Sequence, residues 1–142
     1  MKNIATSVLL LLFAGCGEQI DETYPTYADA RSAGAVERGW VPAFVPMSAS
    51  DIVDSHDLDT NRQTLLFKLP SSAMSEMVTG LRRVSGDDRE ALTKLIDEYG
   101  LEQGSEGYVV CSEVQNGALV VDLEHGKVVY DTTVSWSDDD CL

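Results

Sequence analysis

His56, Asp57, Asp59 and Asn61, gathered in the hexapeptide HDLDTN, are the residues whose types and spacing come nearest to chemistry. Oxygen-bearing side chains at alternate positions open a calcium-binding loop, in which a glycine at the sixth position makes the sharp turn and a glutamate at the twelfth closes the ligand set. Counted from Asp57, those two places hold Arg62 and Lys68, so the loop fails as a calcium site. A His56 and carboxylate pair could bind a metal or move a proton, but no serine or cysteine nearby forms a recognisable nucleophile with it. The hexapeptide is therefore expected to cap a helix and turn the chain into the next strand. No phosphate-binding loop, nucleophile elbow or zinc signature stands elsewhere. The expectation is a protein that is not an enzyme, with no catalytic residue, no metal and no cofactor.

The other chemistry lies in three cysteines. Cys16 follows Lys2, an apolar run from Val8 to Phe13, and the small residues Ala14 and Gly15. That is the order of a bacterial secretory signal. The run is too short for a spanning helix, which needs about 20 apolar residues. Phe13-Ala14-Gly15-Cys16 resembles a lipobox, with Phe13 where leucine is usual. The resemblance implies diacylglycerol on the Cys16 thiol and cleavage just before it. Lipidation would take one cysteine and leave Cys111 and Cys141 as an even pair, which an oxidising envelope compartment would let close as a disulfide. Two thiols that never meet remain the alternative, because sequence does not place their Cα atoms.

These segments divide the chain into a lipoprotein signal peptide at residues 1–15, a lipidated tether at 16–25 and a single globular domain at 26–142. Removing Lys2 with the signal leaves nine basic residues against the same 24 acidic ones, a formal charge of −15. Such a domain is unsuited to nucleic acid, whose phosphates demand Lys and Arg. It is equally unsuited to an electrostatic grip on anionic lipid, so the membrane contact expected is the N-terminal lipid anchor. Gly17 stands where, in enterobacterial lipoproteins, an aspartate resembles an inner-membrane retention signal. The expected address is the outer membrane, facing the periplasm, in preference to the inner membrane.

Several elements must position these residues. Thr26 and Asp29 have capping-box spacing ahead of a small-residue helix, and Ser48 with Asp51 suggests a second short helix through Ile52, Val53 and His56. Pro42 and Pro46 forbid a continuous helix between them, while Trp40 and Phe44 offer large apolar anchors. RQTLLFKL alternates as a strand with Leu65, Phe67 and Leu69 on one face. SSAMSEMVTG reads as a helix with Met74 and Met77 inward, and Arg82 and Arg83 fall in the loop beyond it. DDREALTKLIDEYG carries a helical stripe of Ala91, Leu92, Leu95, Ile96 and Tyr99, closed by Gly100. EGYVVCSEV, GALVVDLEH and KVVYDTTVSW, separated by Gln115-Asn116-Gly117 and His125-Gly126, read as a meander. The fold class expected is α+β, an antiparallel sheet of about four strands with helices packed on one face.

The run YADARSAGAVERGWVPAFVPMSASDIVDSHDLDTN carries a family resemblance. ERGW, P-x-S-A-x-D-I and HDLDTN follow one another at close intervals. Over roughly residues 24 to 69 the chain resembles a family of bacterial proteins, many of them predicted lipoproteins, that carry a YbbD head domain. The resemblance implies a compact α+β domain and transfers no catalytic residue. Anchor, composition and absent motifs together predict a membrane-anchored envelope lipoprotein with a non-enzymatic binding domain and a protein or cell-wall partner. The alternative is an acidic inhibitor or immunity protein against a cationic envelope hydrolase or toxin, since acidic surfaces speed encounter with basic targets.

Overall fold

The computed structural model describes residues 18–111, 116–134, 136 and 141. Seven strands form one antiparallel sheet: β1 (Gln19–Thr26), β2 (Ser50–Asp57), β3 (Arg62–Lys68), β4 (Arg82–Arg83), β5 (Glu106–Val110), β6 (Gly117–Asp122) and β7 (Lys127–Asp131). Their spatial order is β1-β2-β3-β7-β6-β5-β4. Three short helices accompany them: α1 (Tyr27–Ser32), α2 (Ser71–Met77) and α3 (Arg89–Glu98). Among the described residues no helix is long and apolar enough to cross a membrane.

This architecture corrects the expected one. The protein is mostly β, with seven strands where about four were expected, and its helices lie on both faces of the sheet. Two separate cores make the second point. Ala30 of α1 and Met74 of α2 pack with Leu65, Phe67, Leu119, Val121, Val128 and Tyr130. Leu92, Leu95 and Ile96 of α3 pack with Ala118, Val120 and Val129 on the opposite side. Successive strand side chains point to opposite faces, so one strand serves both cores. Every residue of β6 is accordingly buried. A strand covered on both sides loses polar alternation and reads as a continuous apolar run.

The strands not expected are β1, β2 and the short β4. Residues 19–25, expected as tether, pair with β2: Ile20 opposite His56, Glu22 opposite Asp54 and Tyr24 opposite Ile52. An edge strand needs only alternate positions inward, so one buried residue, Tyr24, among polar neighbours suffices. The Ser48 and Asp51 pattern starts no helix, because Ile52, Asp54 and His56 recur at period two and all three are buried. Asp51 instead sits in the left-handed region at φ 49°, where the β2–β3 register shifts between Ser50 and Val53. Arg82 and Arg83 pair with β5 as strand β4, and Arg83 meets Glu106 at 2.6 Å.

Local signals were decisive where packing agreed with them. Thr26 caps α1 as a capping box, its hydroxyl accepting from the Asp29 amide at 3.2 Å while the Asp29 carboxylate accepts from the Thr26 amide at 3.1 Å. In α3 the buried stripe is Leu92, Leu95 and Ile96, followed by Gly100 at φ 58°. The meander forms, with β3 laid against β7 so that Leu65 pairs with Tyr130 and Phe67 with Val128. Cys111, just beyond β5, is disulfide-bonded to Cys141, their Cα atoms 5.7 Å apart.

At Gly117 the backbone of β7 and the Tyr130 ring leave no room for a side chain. A Cβ there would stand 2.6 Å from Tyr130 Cε2 and 2.8 Å from the Asp131 carbonyl oxygen. Backbone cannot step aside as a side-chain tip can, so Gly117→Ala is expected to cost about 1–3 kcal/mol in overpacking. Chemical denaturation checks this. A midpoint equal to that of the parent would mean that the two strands separate at no cost.

Candidate functional site

Residues 33–49, between α1 and β2, cross one face of the sheet as a strap. Pro42 and Pro46 keep them out of helix, and turns replace it: the Val45 amide donates to the Pro42 carbonyl at 3.0 Å and the Ala49 amide to the Pro46 carbonyl at 3.0 Å. Ala35, Val41, Val45 and Ala49 are buried against the sheet. The strap thereby stands over the ends of β2, β3 and β7. Between them lies a cleft of about 560 Å³, lined on the strap side by Trp40 and Phe44 and on the sheet side by His56, Gln63 and Tyr130.

The walls are held by stacked aromatics. The Phe44 and Tyr130 rings meet edge to face at 5.0 Å. Trp40 lies 5.6 Å from the His56 ring, and the Arg38 guanidinium covers Trp40 at 4.1 Å. A cation over an indole face is attracted by the ring quadrupole. Arg38 also reaches Glu22 at 3.4 Å and the Ala33 carbonyl at 3.0 Å, which ties the strap to β1.

Beneath the aromatics is a buried polar group that sequence reading missed. Gln63, on β3, donates from its amide nitrogen to the Trp40 carbonyl and, at 2.5 Å, to Asp54 Oδ1. Asp54 is wholly buried, and its second carboxylate oxygen has no hydrogen-bond partner. His56 is 6% exposed; its Nε2 faces Asn61 Oδ1 at 3.3 Å while its Nδ1 is without a partner. Burial pushes the Asp54 carboxyl up to about 6, against the Gln63 hydrogen bond and the His56 charge, and Glu22 and Asp21 add to the rise. Burial also raises the Tyr130 hydroxyl to about 12, with Asp131 contributing. The signal that could have found this group is phase: Asp54 falls in step with Ile52, and Gln63 in step with Leu65 and Phe67.

The hexapeptide divides in two. His56 ends in the cleft, whereas Asp57, Asp59 and Asn61 make the turn between β2 and β3. Asp57 Oδ1 accepts from the amides of Asp59 and Thr60 at 3.0 Å each. The Thr60 backbone hydrogen bond, ahead of burial's opposing push, holds the Asp57 carboxyl below its ordinary range. Asn61 takes the left-handed conformation at φ 55°, which asparagine tolerates better than most residues and which brings its side chain back to His56. Cys111 lines the cleft, but its bond to Cys141 removes it as a thiolate nucleophile. Cys16 lies outside the described residues. A second grouping invisible in sequence is Glu102, Glu124 and His125, whose ligand-capable atoms lie within 4.8 Å of one another on the surface.

The cleft is concave and largely apolar with a few convergent polar groups, the makeup common to small-molecule sites. Residues 18–68, about a third of the chain, match the model of the YbbD head domain. The match spans β1 through β3 and includes Arg38, Trp40, Phe44, Asp54, His56, Asn61 and Gln63. Tyr130 and Cys111 come from the remainder, so the matched stretch supplies the strap and one wall while the meander supplies the other. Comparison with curated proteins and with solved structures gives no match.

Proposed function

We propose that the chain is an envelope lipoprotein, anchored through Cys16, whose domain binds a ligand in the cleft between strap and sheet and performs no chemistry on it. The observation that carries the reading is the cleft itself. Its volume falls in the range of ligand pockets, and its walls combine the aromatic rings of Trp40, Phe44 and Tyr130 with the polar side chains of His56, Asn61 and Gln63. Its outer-membrane address, facing the periplasm, rests on Gly17 after the lipidated cysteine.

The test places a photo-crosslinking residue at Ala43, which lines the cleft, or at Met47, which is exposed and does not. In intact source cells a recurrent adduct is expected at Ala43 and not at Met47. Equal capture at both positions, or at neither, would remove the cleft as the binding site. The acidic inhibitor reading, favoured by the formal charge of −14 over the full chain, makes the opposite demand. A basic hydrolase held by the outer surface would cross-link at Met47 as readily as at Ala43. Fractionation completes the test: Cys16→Ala is expected to leave the membrane fraction, and full retention there would end the anchor reading.

A further inference from the structure

The tether allowed by the structure is far shorter than the one expected from sequence. The chain is already fixed at residue 18, where the Glu18 carbonyl accepts from the Leu58 amide at 3.1 Å, and Gln19 pairs with Asp57 as the first rung of β1. Only Gly17 lies between Cys16 and Glu18, and an extended chain covers about 3.5 Å per residue step, so a lipid on Cys16 leaves Glu18 within roughly 7 Å of its attachment point. That distance is smaller than the domain. β1, which runs away from this end of the sheet, is 8 residues long and so spans roughly 25 Å.

From this we infer that the domain rests on the lipid headgroup surface with one defined end of its sheet, the end formed by Glu18, Gln19 and the β2–β3 turn at residues 58–61. The inference depends on the anchor reading under the proposed function and adds an orientation to it. Leu58, 43% exposed at the tip of the turn, is the large apolar side chain this end offers to the interface. Glu18, Asp57 and Asp59, with Arg62 beside them, make this corner of the sheet acidic among the described residues, so a zwitterionic headgroup layer, and not an anionic one, is the surface it fits. The antiparallel order brings the end of β5, the start of β6 and the Cys111–Cys141 bond to the same end. Asn61 and Cys111 of the cleft lining are therefore held near the headgroups, whereas Met47 and the β6–β7 turn at residues 123–126 are held away from them.

The test uses the full-length protein extracted from source membranes and placed in nanodiscs of phosphatidylcholine containing a lipid with a gadolinium-chelate headgroup. Mass spectrometry first establishes whether Cys16 carries diacylglycerol. In the lipidated protein, paramagnetic loss of amide NMR signal is expected at Leu58, Thr60 and Asn61, with Met47, Glu124 and Gly126 retaining theirs. Loss spread evenly over both ends, or greatest at Met47 and Gly126, would overturn the orientation and leave the anchor standing. An unmodified Cys16 would overturn both.

Discussion

Asp54→Asn is expected to remove most of the loss of stability that the protein suffers as pH rises from about 4 to 7. The folded Asp54 carboxyl is raised to about 6 from an ordinary 3.8, with burial as the largest cause. Below about pH 4 the group is protonated in both folded and unfolded chains and contributes no difference. Between about 4 and 6 the folded chain holds the proton and the unfolded chain has released it, so stability falls with rising pH. Above 6 both are ionised and the cost stays constant. A shift of this size corresponds to roughly 3 kcal/mol. The asparagine keeps an oxygen for the Gln63 amide and carries no charge. Urea denaturation of parent and variant across this range should give curves that diverge as pH rises, the variant gaining on the parent. Parallel curves would mean that Asp54 is solvated. Asp21 and Asp57, held low by hydrogen bonds to Ser55 and to the Thr60 backbone respectively, act with opposite sign and at lower pH, so they do not mask the effect.

Gln63→Ala is expected to cost about 2–4 kcal/mol, because one amide nitrogen serves two acceptors, one buried and one partly buried. Removing it leaves Asp54 Oδ1 as unpartnered as Oδ2 and strips the Trp40 carbonyl of its link to the sheet. Each buried polar group left unsatisfied costs about 1–3 kcal/mol, more where the group is charged. The loss should grow with pH, since the Gln63 hydrogen bond is the main influence holding the Asp54 carboxyl down. Gln63→Leu separates packing from hydrogen bonding, as it keeps the volume and lacks the donor. If the leucine variant is as stable as the parent, the bridge carries no weight and the strap is held by its apolar residues alone. Trp40 should report the change directly, its emission moving to longer wavelength as the strap lifts.

Both predictions concern residues whose importance their neighbours in sequence do not announce. Asp54 lies between Val53 and Ser55, in a run where a capping pattern points to helix. Gln63 sits at the start of RQTLLFKL, where a polar residue ordinarily marks the approach to a strand. A polar side chain in the inward phase weakens the very alternation by which a strand is recognised. The buried polar residues of the cleft and the missed strand β2 therefore share one cause. β1 was hidden for a related reason: an edge strand with one solvated face requires few apolar residues, and QIDETYPT has few.

By itself the sequence determined the elements whose signals are local and strong. The capping box of α1, the apolar stripe of α3, the strand of residues 62–68 and the three strands of the meander each follow from contacts within a few residues, or from periodicity that a single buried face imposes. It also determined that HDLDTN turns the chain, since Asp57 can satisfy the turn amides without help from elsewhere. Only the tertiary structure decided that β1 and β2 join the sheet, that helices lie on both faces, and that Asp54, His56 and Gln63 meet beneath Trp40. Those outcomes depend on pairings between residues far apart in the chain, β3 with β7 above all. Their free energy comes from surface that is buried only once both partners are in place, and no short stretch of sequence contains it.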